Sequence, residues 1–350
     1  MGKVIRIGDR EIGKGCPIFL VAELSANHNG DYNKALELIH AAAEAGADAV
    51  KLQTYTADTL TLDCDKDYFK LDRGTIWDGT TLYKLYQEAF TPWEWHRGLQ
   101  EEAKKLGLIC FSSPFDPTAV SLMEELDMPA FKIASPEITD IPLIRLCASK
   151  HKPVILATGI AEESDIDLAV NTCRKEGNDD IILLKCVSAY PTPYEDVNLR
   201  MMPALSEKYD ILTGLSDHTA GSAVAVAAAA LGAVMIEKHF TLRRSDGGPD
   251  SSFSMEPEEY ASLVRDVRAV EKALGSSEYS LTAVQKRERA LARSLFIVKD
   301  IKKGETLTPE NIRSIRPGYG LSPALTDEIL GKRAAKDLEF GEPLREGDFE

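Results

Sequence analysis

Eight times within the first 240 residues, a short apolar run ends abruptly in polar residues. The runs span 18–24, 49–55, 108–114, 130–135, 154–159, 181–187, 211–217 and 234–240. Most are followed by an amphipathic stretch of helical period, as at 32–45, 117–126, 163–176 and 220–231. Near-continuous apolar runs of this length read as buried parallel strands. Eight of them alternating with helices predict an α/β fold, a (β/α)8 TIM barrel. A doubly wound sheet would carry a Gly-rich turn after its first strand, and none is present. In a (β/α)8 barrel the chemistry sits where the strands end. The polar residues closing each run are therefore the place to look for a site.

Length and charge set the remaining limits. At 350 residues the chain is long for a single core, and its last part behaves differently. Residues 285–350 hold 13 basic against 12 acidic residues, whereas the whole chain carries a net charge of −15. Their helical period fades into short segments broken by Gly and Pro. The expected division is a barrel over 1–280, a linker arm over 281–292 and a small turn-rich domain over 293–350. The acidic balance argues against nucleic-acid binding, and no apolar run is long enough to span a membrane. No signal-peptide core is seen at the N-terminus, and the six cysteines form no CxxC pair. They read as reduced structural thiols of a cytoplasmic protein. The segment 58–91, between the second and third strands, is too long for one crossover. It is either a lid or specificity wall over the active face, or a surface excursion packed by its own aromatics.

The first strand runs into Glu23, Asn27, His28 and Asn29. Lys51 and Gln53 stand at alternate positions of the second, so they share one face. Ser112 and Ser113 close the third, while Lys132, Ser135 and Glu137 close the fourth. Two lysines ringed by apolar strand residues suit the phosphate and carboxylate of one small anion. Ser216-Asp217-His218 ends the seventh strand and Glu237-Lys238-His239 the eighth. Neighbouring strands lie about 4.8 Å apart, so His218 and His239 can reach one ion. Two nitrogen ligands completed by water and substrate make an open catalytic site, suited to Mn²⁺, Co²⁺ or Fe²⁺ more than to a closed zinc centre. His28 is a candidate third contributor, while His40, His96 and His151 read as structural. A two-His metal hydrolase would show an HxH pair, and none occurs. A non-catalytic sugar-binding protein would not need the two histidines together with two anion-binding lysines.

These residues resemble the sialic acid synthase family. The resemblance rests on Ala22 to Gly30, Val50 to Gln53, Ser112 to Phe115, Phe131 to Ser135, Thr158-Gly159, Tyr190 to Pro193, Leu215 to His218 and Glu237 to Phe240. Residues 293–318 resemble that family's antifreeze-like (SAF) domain. The resemblance implies condensation of phosphoenolpyruvate with an acetamido sugar, assisted by a divalent metal ion on His218 and His239. Mn²⁺ is the first choice, with Mg²⁺ or Co²⁺ as alternatives. It implies that Lys51 and Lys132, with Ser113, Ser135 and Ser216, hold phosphoenolpyruvate. Glu23 would lie near the sugar or the attacking water, and Gln53, Glu137, Tyr190 and Asp250 would bind substrate. It also implies a domain-swapped homodimer in which Arg316 reaches the partner's barrel. Ser25-Ala26 and the stretch 247–254 resemble the branch whose acceptor is a 2,4-diacetamido-2,4,6-trideoxy hexose of the altrose series. The alternative acceptors are those of the N-acetylneuraminic and legionaminic branches. Lys185 and Ala157 depart from the sialic pattern, at strand ends expected to face the ligands.

Overall fold

A computed structural model describes residues 3–72 and 74–350. A hairpin comes first, β1 (Val4–Ile7) against β2 (Arg10–Gly13). Eight strands then close into a parallel barrel: β3 (Phe19–Glu23), β4 (Ala49–Thr54), β5 (Ile109–Pro114) and β6 (Phe131–Ile133). They continue as β7 (Val154–Ala157), β8 (Ile181–Lys185), β9 (Leu212–Asp217) and β10 (Met235–His239), which pairs back onto β3. Each observed strand lies within an expected apolar run, shortened at its ends. The shortest is β6, because the chain passes at Ser135 into a 3₁₀ turn, Ser135–Thr139.

Strand parity divides the barrel wall. Leu20, Val50, Leu52, Leu215 and Ile236 face outward and pack with the surrounding helices, for example Leu38 and Ile39 of Tyr32–Glu44. Phe19, Val21, Ala49, Phe111, Ile155, Ile182 and Met235 face inward and make an apolar plug. Ile5, Ile7 and Ile12 of the hairpin join that plug. The hairpin was not expected from the sequence, because four-residue strands lie at the lower limit of length at which alternation is recognised. Continuing the inward parity toward the strand ends gives Glu23, Lys51, Ser113, Lys132, Ser216 and Glu237. Register fixes their neighbours: Glu23 lies beside Lys51, and Glu237 beside Ser216.

The chain divides into two compact units, one ending at Gly275 and the other Ser276–Glu350. In the second, β11 (Ser294–Ile297) pairs with β12 (Ile312–Ile315) over a small core that includes Leu295, Ile297, Ile301 and Leu338. The helix Ala283–Glu288 belongs to this unit, where the Gly318 N–H donates to the carbonyl of Ala290.

Candidate active site

Above the apolar plug the barrel interior becomes a buried charge network. Lys51 Nζ lies 2.6 Å from Glu23 Oε2 and 3.2 Å from Glu237 Oε1, and Lys132 Nζ lies 3.5 Å from the same Glu237 oxygen. Ser216 Oγ donates to Glu237 Oε1 at 3.2 Å, Lys51 donates to Ser113 Oγ at 3.3 Å, and Gln53 donates to Glu23 Oε1 at 3.1 Å. Burial opposes ionisation of both carboxyls. Glu237, within reach of Lys132 and Lys51, is nevertheless held at about 2. Glu23, which has only Lys51 close by and is repelled by Glu237, is pushed up. Lys51 is raised despite its burial, because Glu23 and Glu237 both favour its ammonium. Lys132 is lowered, mainly by burial, with Glu237 opposing and Lys51 adding to the shift.

The network is the floor of a cavity of about 360 Å³ at the strand ends. Lys51, Gln53, Lys132, Ser135, Ser216, Glu237, His218, His239, Tyr190 and Asp250 all line it. Glu23 and Ser113 stand behind the lining, bound to Lys51, and Glu137 is not among the lining residues. The opposite wall comes from the segment between β4 and β5, which contributes Leu71, Trp77, Leu82, Leu85 and Tyr86. Of the two readings of that segment, the structure takes the wall. Trp77 is held by an N–H bond of 2.8 Å to the carbonyl of Pro249 and by edge contacts with Tyr190 and Phe253.

The loop after β3 supports this geometry from outside. Asn27 Nδ2 donates to the carbonyl of Phe240 and to Ser254 Oγ, and Asn29 Nδ2 donates to the carbonyl of Gly247. A Cβ on Gly248, whose φ is +110°, would collide with Asn29 Oδ1, so glycine is required for this approach. Ser25 donates to Asp250, which fixes that carboxyl at the cavity edge. His28 does not join the site. Its Nε2 meets Thr91 Oγ1 at 3.1 Å, its ring stands edge-on to Trp95, and burial lowers it to about 4. The positive φ of Ser25 and Asn29 turns the loop so that His28 faces the helical layer.

The His218 and His239 rings lie 5.3 Å apart, centroid to centroid. His218 Nδ1 approaches the carbonyl of Val187 at 2.9 Å, while His239 Nδ1 is buried with no hydrogen-bond partner. Among the described residues no group of three or more His, Cys, Asp or Glu forms a closed metal cage. The orphaned imidazole nitrogen beside a second imidazole does fit an open two-nitrogen site. Burial and the neighbouring His218 hold His239 well below its ordinary value, in the neutral form that binds metal.

Several residues depart from the sequence reading or were absent from it. Lys185 shares the parity of Ile181 and Leu183, so it lies on the outer side of β8 and donates to the carbonyl of Cys186. Ala157 does line the cavity. Cys186, expected to be a structural thiol, lines it too. Burial would raise that thiol, but His218 and Ser135 outweigh it and bring it to about 7. Glu237, which pairs with both lysines and lines the cavity, is the main residue of the network that sequence reasoning missed. Its signal was available, since it lies two positions before His239 and so shares its face. Arg316 is exposed in the second unit, just after β12.

Glu137 offers a test of burial behind the wall. Its Oε2 has no partner, and burial pushes the carboxyl up to about 7. A raised folded-state value means that stability is full below the unfolded value near 4.3 and is lost as pH rises through 7. Glu137→Gln should therefore raise Tm relative to the parent at pH 8 and leave it unchanged at pH 4. Thermal melts at the two pH values check this, and equal shifts at both would mean a solvated carboxyl.

Known proteins share both the architecture and the sequence. The NeuB family matches over residues 38–279 and the SAF domain over residues 292–350. The chain is 50% identical over 336 residues to a pseudaminic acid synthase of Helicobacter pylori, covering 95% of this chain and 98% of that one. It is 47% identical over 332 residues to a pseudaminic acid synthase of Campylobacter jejuni, covering 95% and 96%. The crystal structure of an N-acetylneuraminic acid synthetase from Leptospira borgpetersenii superposes with a TM-score of 0.74 at 33% identity, covering 82% of this chain and 95% of that one.

Proposed function

This chain belongs to the NeuB family, and from that premise we propose that it is a pseudaminic acid synthase, joining phosphoenolpyruvate to 2,4-diacetamido-2,4,6-trideoxy-L-altrose with release of phosphate. The observation that carries the reading is the two-sided cavity, with buried lysines on its floor and an aliphatic and aromatic wall opposite. A small dianion suits the first surface, and a sugar with a methyl and two acetamido groups suits the second.

On this reading Lys51 and Lys132 hold the phosphate and carboxylate of phosphoenolpyruvate, helped by the hydroxyls of Ser135 and Ser216. Glu237 keeps both ammoniums aligned, Glu23 and Ser113 orient Lys51 from behind, and Gln53 holds Glu23 from the cavity side. Tyr190 and Asp250 bind the open-chain sugar. His218 and His239 would hold a divalent ion, Mn²⁺ first, which would supply Lewis acidity toward the sugar's aldehyde. C3 of phosphoenolpyruvate attacks the aldehyde carbon, forming the new C–C bond, and positive charge develops at C2. Water adds at C2, and the proton it gives up neutralises the alkoxide left on the former aldehyde oxygen. The resulting hemiketal phosphate then breaks its C–O bond, giving the α-keto acid and inorganic phosphate. Lysines beside the phosphate stabilise its negative charge as it leaves, and the Glu237 carboxylate between them offsets their repulsion of the cationic C2. Arg316 is assigned to the cavity of a second copy in a domain-swapped dimer. The reading includes a cytoplasmic location, in keeping with six free thiols.

Phosphate release measured with phosphoenolpyruvate, Mn²⁺ and a panel of acetamido sugars tests the proposal. The diacetamido altrose should exceed N-acetylmannosamine in kcat/KM by about a thousandfold. A methyl-shaped pocket rejects an added hydroxyl by only about a hundredfold, and polar groups left unpaired by the missing second amide supply the rest. Trp77→Ala should compress this ratio by at least about tenfold, because it opens the apolar wall. A reversed ratio in the parent would return the chain to the sialic branch of the same chemistry.

A further inference from the structure

The outer face of β9 and β10 carries a charged pair that no step above uses. Lys238 and Asp217 are register partners on adjacent strands, and their side chains are 2% and 1% exposed. They lie on the helix-facing side of the wall, beside the outward residues Leu215 and Ile236. Lys238 Nζ donates to Asp217 Oδ2 at 2.7 Å and to the carbonyl of Thr219 at 2.7 Å, while the Thr219 N–H donates to Asp217 Oδ1 at 2.9 Å. The residues before and after His218 are thus both tied to one side chain of β10. That side chain immediately precedes His239. The His218 carbonyl is held separately by the Thr192 N–H at 2.9 Å.

A buried ion pair adds little stability over an apolar pair of the same volume, because desolvation offsets the attraction. Its directional bonds do something an apolar pair cannot, which is to fix a spacing. We propose that Lys238 and Asp217 are positioning residues that set the separation and orientation of His218 and His239 for a shared divalent ion. The proposal rests on the metal reading of those histidines. Lys238 does not line the cavity and acts through Asp217 and the Thr219 carbonyl, on either side of His218.

The test is Mn²⁺ binding to metal-free protein, followed by electron paramagnetic resonance, with Tm and steady-state kinetics alongside. Removing either charge alone strands the other in the interior, so the informative variant is the double replacement Asp217→Leu, Lys238→Met. It should melt near the parent, bind Mn²⁺ about 10- to 100-fold more weakly and lose kcat while keeping the KM for phosphoenolpyruvate. Asp217→Glu retains both charges and displaces the contact by one methylene. It should weaken Mn²⁺ binding in the same direction, and it decides the matter if the double variant fails to fold. Parent-like Mn²⁺ affinity in the folded variants would overturn the positioning role. If the parent binds Mn²⁺ no better than His218→Ala or His239→Ala, the metal reading itself has failed and this proposal with it.

Discussion

Lys51→Met should lower kcat/KM for phosphoenolpyruvate by at least about a hundredfold, or roughly 2.7 kcal/mol of transition-state stabilisation. Two effects combine. The ammonium that would face the substrate's anionic groups disappears, and the Glu23 and Glu237 carboxylates it separates are left facing each other. The floor changes from a balanced network to one that repels an anion, inside a protein whose net charge is already −15. Breaking a buried pair typically costs about 3–5 kcal/mol, so Tm should fall as well. The double variant Lys51→Met, Glu23→Gln separates the two contributions: Tm should recover much of its loss while kcat/KM stays low. Lys132→Met should behave in the same direction with a smaller stability cost, since only Glu237 pairs with it. Parent-like kinetics in both lysine variants would show that these are structural charges.

His218→Ala and His239→Ala should each abolish most turnover and most tight Mn²⁺ binding. With only two imidazoles available, losing either leaves a single protein nitrogen, too few to retain an ion against solvent at micromolar concentration. Chelated parent enzyme should regain activity on addition of Mn²⁺, and the variants should not. Direct measurement of bound metal, together with phosphate release, checks both halves. Full activity in a metal-free double variant would remove the ion from the reaction.

Much of this molecule could be read from its residues because period-two parity carries through a strand into the site. That parity puts Lys51 with Gln53 and, had it been applied to β10, Glu237 with His239. It also separates Lys185, which shares the outward face of Ile181 and Leu183, from Cys186, which faces in. The failures share a different cause. His28 closes a strand run, but the direction of its ring depends on a turn with positive φ at Ser25 and Asn29. Trp77 and Tyr86 become a wall only because their segment folds back over the barrel mouth, and no local period announces that. The N-terminal hairpin lies at the lower limit of length for a pattern, although Ile5, Ile7 and Ile12 fill the plug.

Barrel closure also has a consequence for how the chain comes to life. β3 completes its pairing only with β10, where Glu23 meets His239 in register. Pairing so distant in sequence raises the contact order of the barrel and slows its closure. A growing polypeptide can set Glu23 beside Lys51 across β3 and β4, but it lacks the second carboxylate, Glu237, until β10 has emerged. The strand that seals the wall is also the one that delivers Glu237 and His239. The wall therefore cannot close without bringing the second carboxylate to Lys51 and Lys132.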